Sequence, residues 1–290
     1  MREVRDVTGL IAAALAAATV LGCVSVSQPA LRVRQLRIDV GAARPFSVLH
    51  VSDSHLAGVG DREDEDVRAF ARARENLGRE RGAPCLAEAL DYARARHLPV
   101  IHTGDVIETA SKANFARAGE ILRANGVVAC VGNHEFWRTA KTSDEAAKGA
   151  VADDVRANYP GEQPSFAFET NGVSFFVFDN AFGRVSPAVT SAFERVAAKG
   201  HPIVMVCHVP FPAEELLRDE RCCPHLTGEG EAKGDGTTAA FVERVRGEPL
   251  VRAILCGHLH GFVRARFSPT AEMCVANALF NGEASEIVFF

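Results

Sequence analysis

Five short stretches of the chain end in residues that bind metals or move protons. They read Asp53-Ser54-His55, Gly104-Asp105, Gly132-Asn133-His134-Glu135, His208 and Gly257-His258-Leu259-His260. Each closes an apolar run: FSVLHVSD, LPVIHTGD, GVVACVGN, PIVMVCHV and VRAILCGH. A single histidine at the end of such a run is ordinarily a hydrogen-bonded core residue. Five runs that each deliver a His, Asp or Asn point instead to one common destination. Imidazole nitrogen with carboxylate and amide oxygen is a borderline ligand set that suits Zn, Mn, Fe, Co or Ni. Alternate side chains of a strand share a face, so Asp53 and His55 can point at one ion. The same spacing lets His258 and His260 reach two neighbouring ions. Glycines in the second, third and fifth motifs permit sharp turns from strand to loop beside the site.

The elements that must position these residues are written in the apolar periodicity. The five runs are short, rich in Val and Ile and bounded by polar turn residues, as inner strands of an α/β sheet should be. Near-alternation over residues 31–40 (LRVRQLRIDV) predicts a further strand. Helical patterns cover 84–97, 111–125, 144–158, 187–199 and 237–246, with Pro84 and Pro187 suited to first turns. Residues 165–179 hold Asn171-Gly172 between alternating apolar residues, a strong hairpin signal, and 261–290 alternates with no helical pattern. The pattern therefore predicts a layered α/β domain with a mixed sheet system from about residue 31 to 290. Ligands of open α/β sheets gather outside the carboxyl ends of strands, which is where the motifs lie.

The ordered set D-x-H, G-D-x-x-acid, G-N-H-E, H and G-H-x-H, running from Asp53 to His260, resembles the calcineurin-like metallophosphoesterase superfamily. The resemblance implies a four-layer α/β/β/α sandwich, two mixed sheets packed face to face with helices outside. It implies one metal held by Asp53, His55 and His260, a second held by Asn133, His208 and His258, and Asp105 bridging both. His134 matches the catalytic histidine, and Glu108 stands where an acid, more commonly Asp, orients that histidine. The implied cofactors are two divalent transition-metal ions, with Mn, Fe or Zn foremost. The implied reaction is in-line attack on phosphorus by a metal-bridging hydroxide, with charge neutralised by the ions and His134 assisting the leaving group. Phosphodiester hydrolysis is the leading expectation. Phosphomonoesters and nucleotide-sugar pyrophosphates are alternatives on the same site. A non-catalytic scaffold of this fold is disfavoured because all seven ligand positions are filled.

Other residues bear on the substrate. Residues 61–82 (DREDEDVRAFARARENLGRERG) read either as a solvated charged helix or as a cap whose Arg68, Arg72 or Arg74 meets a phosphate or carboxylate. Phe136 and Trp137 serve equally as an apolar wall for substrate or as core. Asp179-Asn180 ends another apolar run and can support the site. The loop 214–237, with Cys222, Cys223 and His225, reads as a surface loop near the entrance, and His225 is not read as a ligand. His50 and His102 read as packed residues, His97 and His201 as surface ones.

The chain has 290 residues, eight Cys and ten His, and a formal charge of −5. Such a balance argues against a protein that holds extended nucleic acid by a basic face. Two divalent ions against two aspartates and a hydroxide still leave a positive pocket for a small phosphorylated substrate. Cys130, Cys207 and Cys256 end apolar runs, as small buried thiols do, and no C-x-x-C zinc motif occurs. Residues 9–22 (GLIAAALAAATVLG) are uncharged, too short for a confident membrane span, and suit a signal-peptide core. With Cys23 they resemble a lipoprotein cleavage box. Residues 1–30 are thus expected to be a leader or anchor. The expected location is the bacterial envelope, with membrane association through this segment or a lipidated Cys23, and the cytoplasm as alternative.

Overall fold

The strand Val173–Phe178 (VSFFVF) shows how the sequence builds the layers. All six residues are buried. Val173, Phe175 and Val177 point into one hydrophobic cluster, while Phe176 and Phe178 point into another, because successive side chains leave opposite faces of a strand. A strand covered on both sides must lie inside a stack.

The computed structural model describes residues 30–60, 63–75, 79–140 and 145–290. The expected leader, Cys23 included, lies outside the described residues apart from Ala30. In chain order the elements are β1 (Arg32–Ile38), β2 (Phe46–Val51), α1 (Glu65–Arg74), α2 (Gly82–Arg96), β3 (Val100–Thr103), α3 (Lys112–Ala124) and β4 (Val128–Cys130). There follow α4 (Glu145–Asn158), β5 (Ser165–Thr170), β6 (Val173–Phe178), α5 (Pro187–Ala197), β7 (Ile203–Val206), α6 (Glu214–Leu217) and α7 (Gly236–Arg246). The chain closes with β8 (Val251–Cys256), β9 (Val263–Arg266), β10 (Glu272–Val275) and β11 (Glu283–Phe289). Among the described residues no helix is long and apolar enough to cross a membrane.

The strands form two mixed sheets, β1-β11-β2-β3-β4 and β5-β6-β7-β8-β10-β9. One cluster fills the space between them, with Leu36, Val48 and Ile101 from the first sheet against Phe175, Val204 and Leu255 from the second. A second cluster packs α2, α3 and α4 on the first sheet, and a third packs α5 and α7 on the other. This is the four-layer sandwich expected of the sequence. The Asn171-Gly172 turn joins β5 to β6 with φ of 49° and 78°, as a tight hairpin requires. Alternation could not name partners at the C-terminus: β11 runs parallel to β1 and antiparallel to β2, and β10 parallel to β8. β2, β3 and β4 are mutually parallel, as are β7 and β8, so five carboxyl ends can face one place.

One helix is fitted directly to that place. A Cβ on Gly82, in the first turn of α2, would stand 1.8 Å from the main-chain oxygen of Ser54. Alanine for glycine in a helix ordinarily stabilises by about 0.5–1 kcal/mol. Gly82→Ala should instead destabilise by roughly 1–3 kcal/mol, because backbone must move to admit it. Urea unfolding of the two proteins checks the sign.

Candidate metal centre

The centre lies in the loops just past the strands, not on the strands. β2 ends at Val51, two residues before Asp53, and β8 ends at Cys256, two before His258. The expected sharing of a pleat face is therefore not what aligns Asp53 with His55. Asp53, His55, Asp105, His258 and His260 all have left-handed backbone, with φ of 54°, 47°, 52°, 71° and 54°. For a residue with a Cβ this conformation costs on the order of 1–3 kcal/mol, and it persists only where surroundings impose it. Left-handed turns at alternate residues, 53 and 55 and again 258 and 260, bring these side chains to the centre.

Two groups of donors share Asp105, and a third, of His55, Glu108 and His134, lies beside them. Asp53, His55, Asp105 and His260 form one of the two, and Asp105, His208 and His258 the other. His55 Nε2 and His260 Nε2 are 3.2 Å apart. His208 Nε2 lies 3.1 Å from His258 Nδ1, 3.2 Å from Asn133 Oδ1 and 3.1 Å from Asp105 Oδ2. Asp105 Oδ2 is also 3.8 Å from His55 Nε2, so it stands between the groups. All seven residues singled out as ligands thus meet in one place.

The rings are held from behind. The Nδ1 of His208 donates to the Thr103 carbonyl at 2.7 Å, and that of His134 to the Glu108 carbonyl at 2.7 Å. Each ring then presents Nε2 to the centre. Asn180 Oδ1 accepts from the main-chain N–H of His208 and of Val209, both at 3.0 Å, so the Asp179-Asn180 turn does support the site. Glycines set the closeness. A Cβ on Gly257 would fall 1.8 Å from Ser52 Oγ, and one on Gly132 2.3 Å from Asp105 Oδ1.

The donor set fits divalent cations. Ligand atoms about 2.0–2.2 Å from one ion stand roughly 3.0–3.4 Å from each other, a range that holds the His55–His260, His208–His258, His208–Asn133 and His208–Asp105 separations, while His55–Asp105 at 3.8 Å is wider. Asp53 Oδ1 is buried without a hydrogen bond, 3.3 Å from His260 Nε2 and 3.6 Å from His55 Nε2. The site also calls for positive charge. Burial alone would lower the pKa of His55, but Asp53, Glu108 and Asp105 raise it to about 9. Asp105 and Asp53 likewise outweigh burial at His208 and raise it to about 10. Both aspartates stay well below the ordinary carboxylate range despite burial, held there by the surrounding imidazoles. Burial dominates at His134, lowered to about 4, and at His258, lowered to about 3.

Other expected positions fall out differently. The Glu108 carboxylate does not take the His134 ring: Oε2 is 3.8 Å from His134 Nδ1 but 2.7 Å from His55 Nδ1. The longer side chain reaches past its own carbonyl, which takes His134 instead. Arg74 is engaged with Glu108 (Nε to Oε1, 2.6 Å) and lies over the Trp137 ring at 4.1 Å. Among the described residues, neither Arg68 nor Arg72 makes a hydrogen bond or ion pair with the centre. Phe136 is core, whereas Trp137 packs edge-on against His134 with centroids 4.9 Å apart. His225 sits 5.7 Å from the His258 ring and belongs to neither donor group. His50 and His102 are fully buried and held neutral, burial lowering them to about 3 and about 4. His97 is exposed and His201 half-buried. The seven described cysteines are free thiols, and Cys130, Cys207 and Cys256 are buried as expected.

Three residues near the centre were given no role by the sequence. Arg79 hydrogen-bonds the Glu108 carboxylate, and Phe280 packs 5.5 Å from His55 and 5.1 Å from His260. Glu135 accepts from the main-chain N–H of Asp105 at 3.0 Å, Ile107 at 3.2 Å and Gly132, and from the Tyr159 hydroxyl at 2.6 Å. Only the acid of the G-N-H-E motif carried any signal in the sequence.

The profile of the calcineurin-like phosphoesterase family matches residues 46–262. A dimetal phosphatase from Danio rerio is similar in structure, with 16% identity and a TM-score of 0.50 over 81% of this chain and 88% of that one. Phosphopantetheinyl hydrolase from Mycobacterium tuberculosis aligns at 18% identity and TM-score 0.40, over 80% and 90% of the two chains. A 5′-nucleotidase from Candida albicans aligns at 13% and 0.43, over 87% of this chain and 47% of that longer one. No curated protein sequence matches significantly.

A folded-state metal site should raise stability by mass action. Manganese at a hundred times its dissociation constant should add about 2.7 kcal/mol per site relative to chelator-treated protein. Asp105→Ala should abolish most of that gain, as thermal melts with and without Mn would show.

Proposed function

The chain belongs to the calcineurin-like phosphoesterase family, hydrolases of phosphoester bonds, and on that premise we propose that it is a two-metal phosphodiesterase. The observation that carries the reading is the convergence of seven donors into two groups that share Asp105. Asp53, His55 and His260 would hold one divalent ion, Asn133, His208 and His258 the other, and Asp105 both. Bound there, Mn, Fe or Zn would polarise the attacking water and neutralise charge on the phosphate oxygens.

The chain's own residues supply the rest. His134 lies beside the donors, with Nε2 4.0 Å from Asp105 Oδ2, and its other nitrogen is fixed by the Glu108 carbonyl. That leaves Nε2 for a substrate oxygen. A phosphate anion alongside raises the proton affinity of the ring, so the imidazolium can hand its proton to the departing alkoxide.

The preference for a diester is supported by two recesses that both border His258. One, of about 420 Å³, is lined by Phe182, Leu226, Pro224 and Glu229. The other, of about 480 Å³, is lined by Asp219, Arg221, Cys222 and Leu259. His225 lies between them and borders each. A diester has two organic arms to place, whereas a monoester has one.

His134→Ala should retain both metals by elemental analysis while losing roughly 10²–10⁴-fold in kcat on bis-p-nitrophenyl phosphate. Full activity in that variant would remove His134 from the reaction. With Mn, kcat/KM on this diester should exceed that on p-nitrophenyl phosphate. The opposite order would favour the monoesterase reading, and cleavage of a nucleotide sugar above both would favour the pyrophosphatase.

A further inference from the structure

Three imidazoles at the centre are anchored through Nδ1, and they are not anchored alike. His208 and His134 donate to main-chain carbonyls. His55 meets a side chain, the Glu108 carboxylate, at 2.7 Å. That carboxylate is itself gripped by two arginines, Arg74 at 2.6 Å and Arg79. Each arginine is backed by an aromatic ring: Arg74 by Trp137 at 4.1 Å and Phe70 at 5.5 Å, Arg79 by Phe280 at 5.5 Å. Glu108 is 1% exposed, while the two arginine side chains are 15% and 19% exposed. A buried carboxylate with two guanidinium partners stays ionised and has a fixed direction.

We infer that Glu108 is a positioning residue for His55 and that Arg74 and Arg79 form a clamp on it, so that the charged segment between the first two motifs is tied to the first metal subsite. The inference rests on the two-metal reading for its consequence, though the clamp itself is a matter of geometry. A carboxylate accepting the Nδ1–H fixes the tautomer of His55, turns its Nε2 lone pair to the Asp53 and His260 side, and strengthens it as a ligand. A carbonyl does the first two less strongly. The extra methylene of Glu over Asp puts the charge on His55 and leaves His134 to the Glu108 carbonyl. Arg74 and Arg79 lie on either side of residues 76–78, outside α2, so two points of one segment converge on one buried carboxylate. Arg74 and Arg79 thereby act first on a ligand-holding carboxylate rather than on substrate.

Titration of the stripped, full-length chain with Mn(II), followed by electron paramagnetic resonance and elemental analysis, tests this. Glu108→Ala should weaken one of two sites by roughly 10–100-fold and leave the other near wild type. The spin-coupled pair signal should give way to a mononuclear one at limiting Mn. Glu108→Gln, which keeps an acceptor oxygen for the Nδ1–H, should lose less. Arg79→Met should weaken the same site as Glu108→Ala. The inference is overturned if both sites keep wild-type affinity while kcat falls, which would return Glu108 to His134. It is equally overturned if both sites weaken together in step with the melting temperature, the mark of a merely structural role. A wild-type chain that binds one ion, with affinity set by Glu108, would overturn the two-metal reading and leave the clamp standing.

Discussion

Glu135 ties the second and third motifs into one unit. Its carboxylate has no solvent exposure and accepts from the N–H groups of Asp105, Ile107 and Gly132 and from the Tyr159 hydroxyl. Burial, with the charge of Asp105, raises its pKa, against the lowering hydrogen bonds from Tyr159 and Gly132. The loops after β3 and β4 must therefore stay at the spacing that satisfies this carboxylate, since an orphaned buried acceptor costs about 1–3 kcal/mol. Asp105 is presented to both donor groups as a consequence. The main-chain N–H of His134 donates to Asp105 Oδ1, which leaves Oδ2 for the centre.

The rest of the centre stores tension against that fixed frame. Five donor residues hold left-handed backbone, and two aspartates sit buried among imidazoles. Neither condition survives in a loose structure. The sandwich supplies rigidity from both sides, with helices pressed on the first sheet behind β2 and β3 and a phenylalanine-rich cluster behind β7 and β8. Asn180 links the second sheet to the frame by capping the chain at His208 and Val209. A divalent cation bound here would relieve the charge the fold has gathered, and its binding would then add to the stability of the fold.

Around this centre the surroundings are asymmetric. On the His55 side, arginines and aromatic rings close in and act on a ligand. On the His258 side, the loop after β7 leaves open recesses lined by Glu229, Cys222 and His225. Phe182, in the wall of one recess, holds a φ of 59°, a conformation a bulky side chain adopts only under constraint. One side of the centre is thus built for positioning and the other for room.

Much of this was legible in the residues alone. Strands and helices announced themselves by period, and the five motif positions by type, because burial on two faces and ligand chemistry each restrict residue choice at single positions. The asparagine-glycine turn and the Asp179-Asn180 support were likewise local signals. Pairing of the C-terminal strands was not, since alternation states which face is buried but not which neighbour donates the hydrogen bonds. Nor was the left-handed backbone of Asp53 or His258, which lies where Gly257 comes up against Ser52 and Asp53 from far away in sequence. The partner of Glu108 was decided last and only in space. Sequence fixes that an acid stands three residues after Asp105, but two imidazoles lie within its reach, and the arginines of a distant segment choose between them.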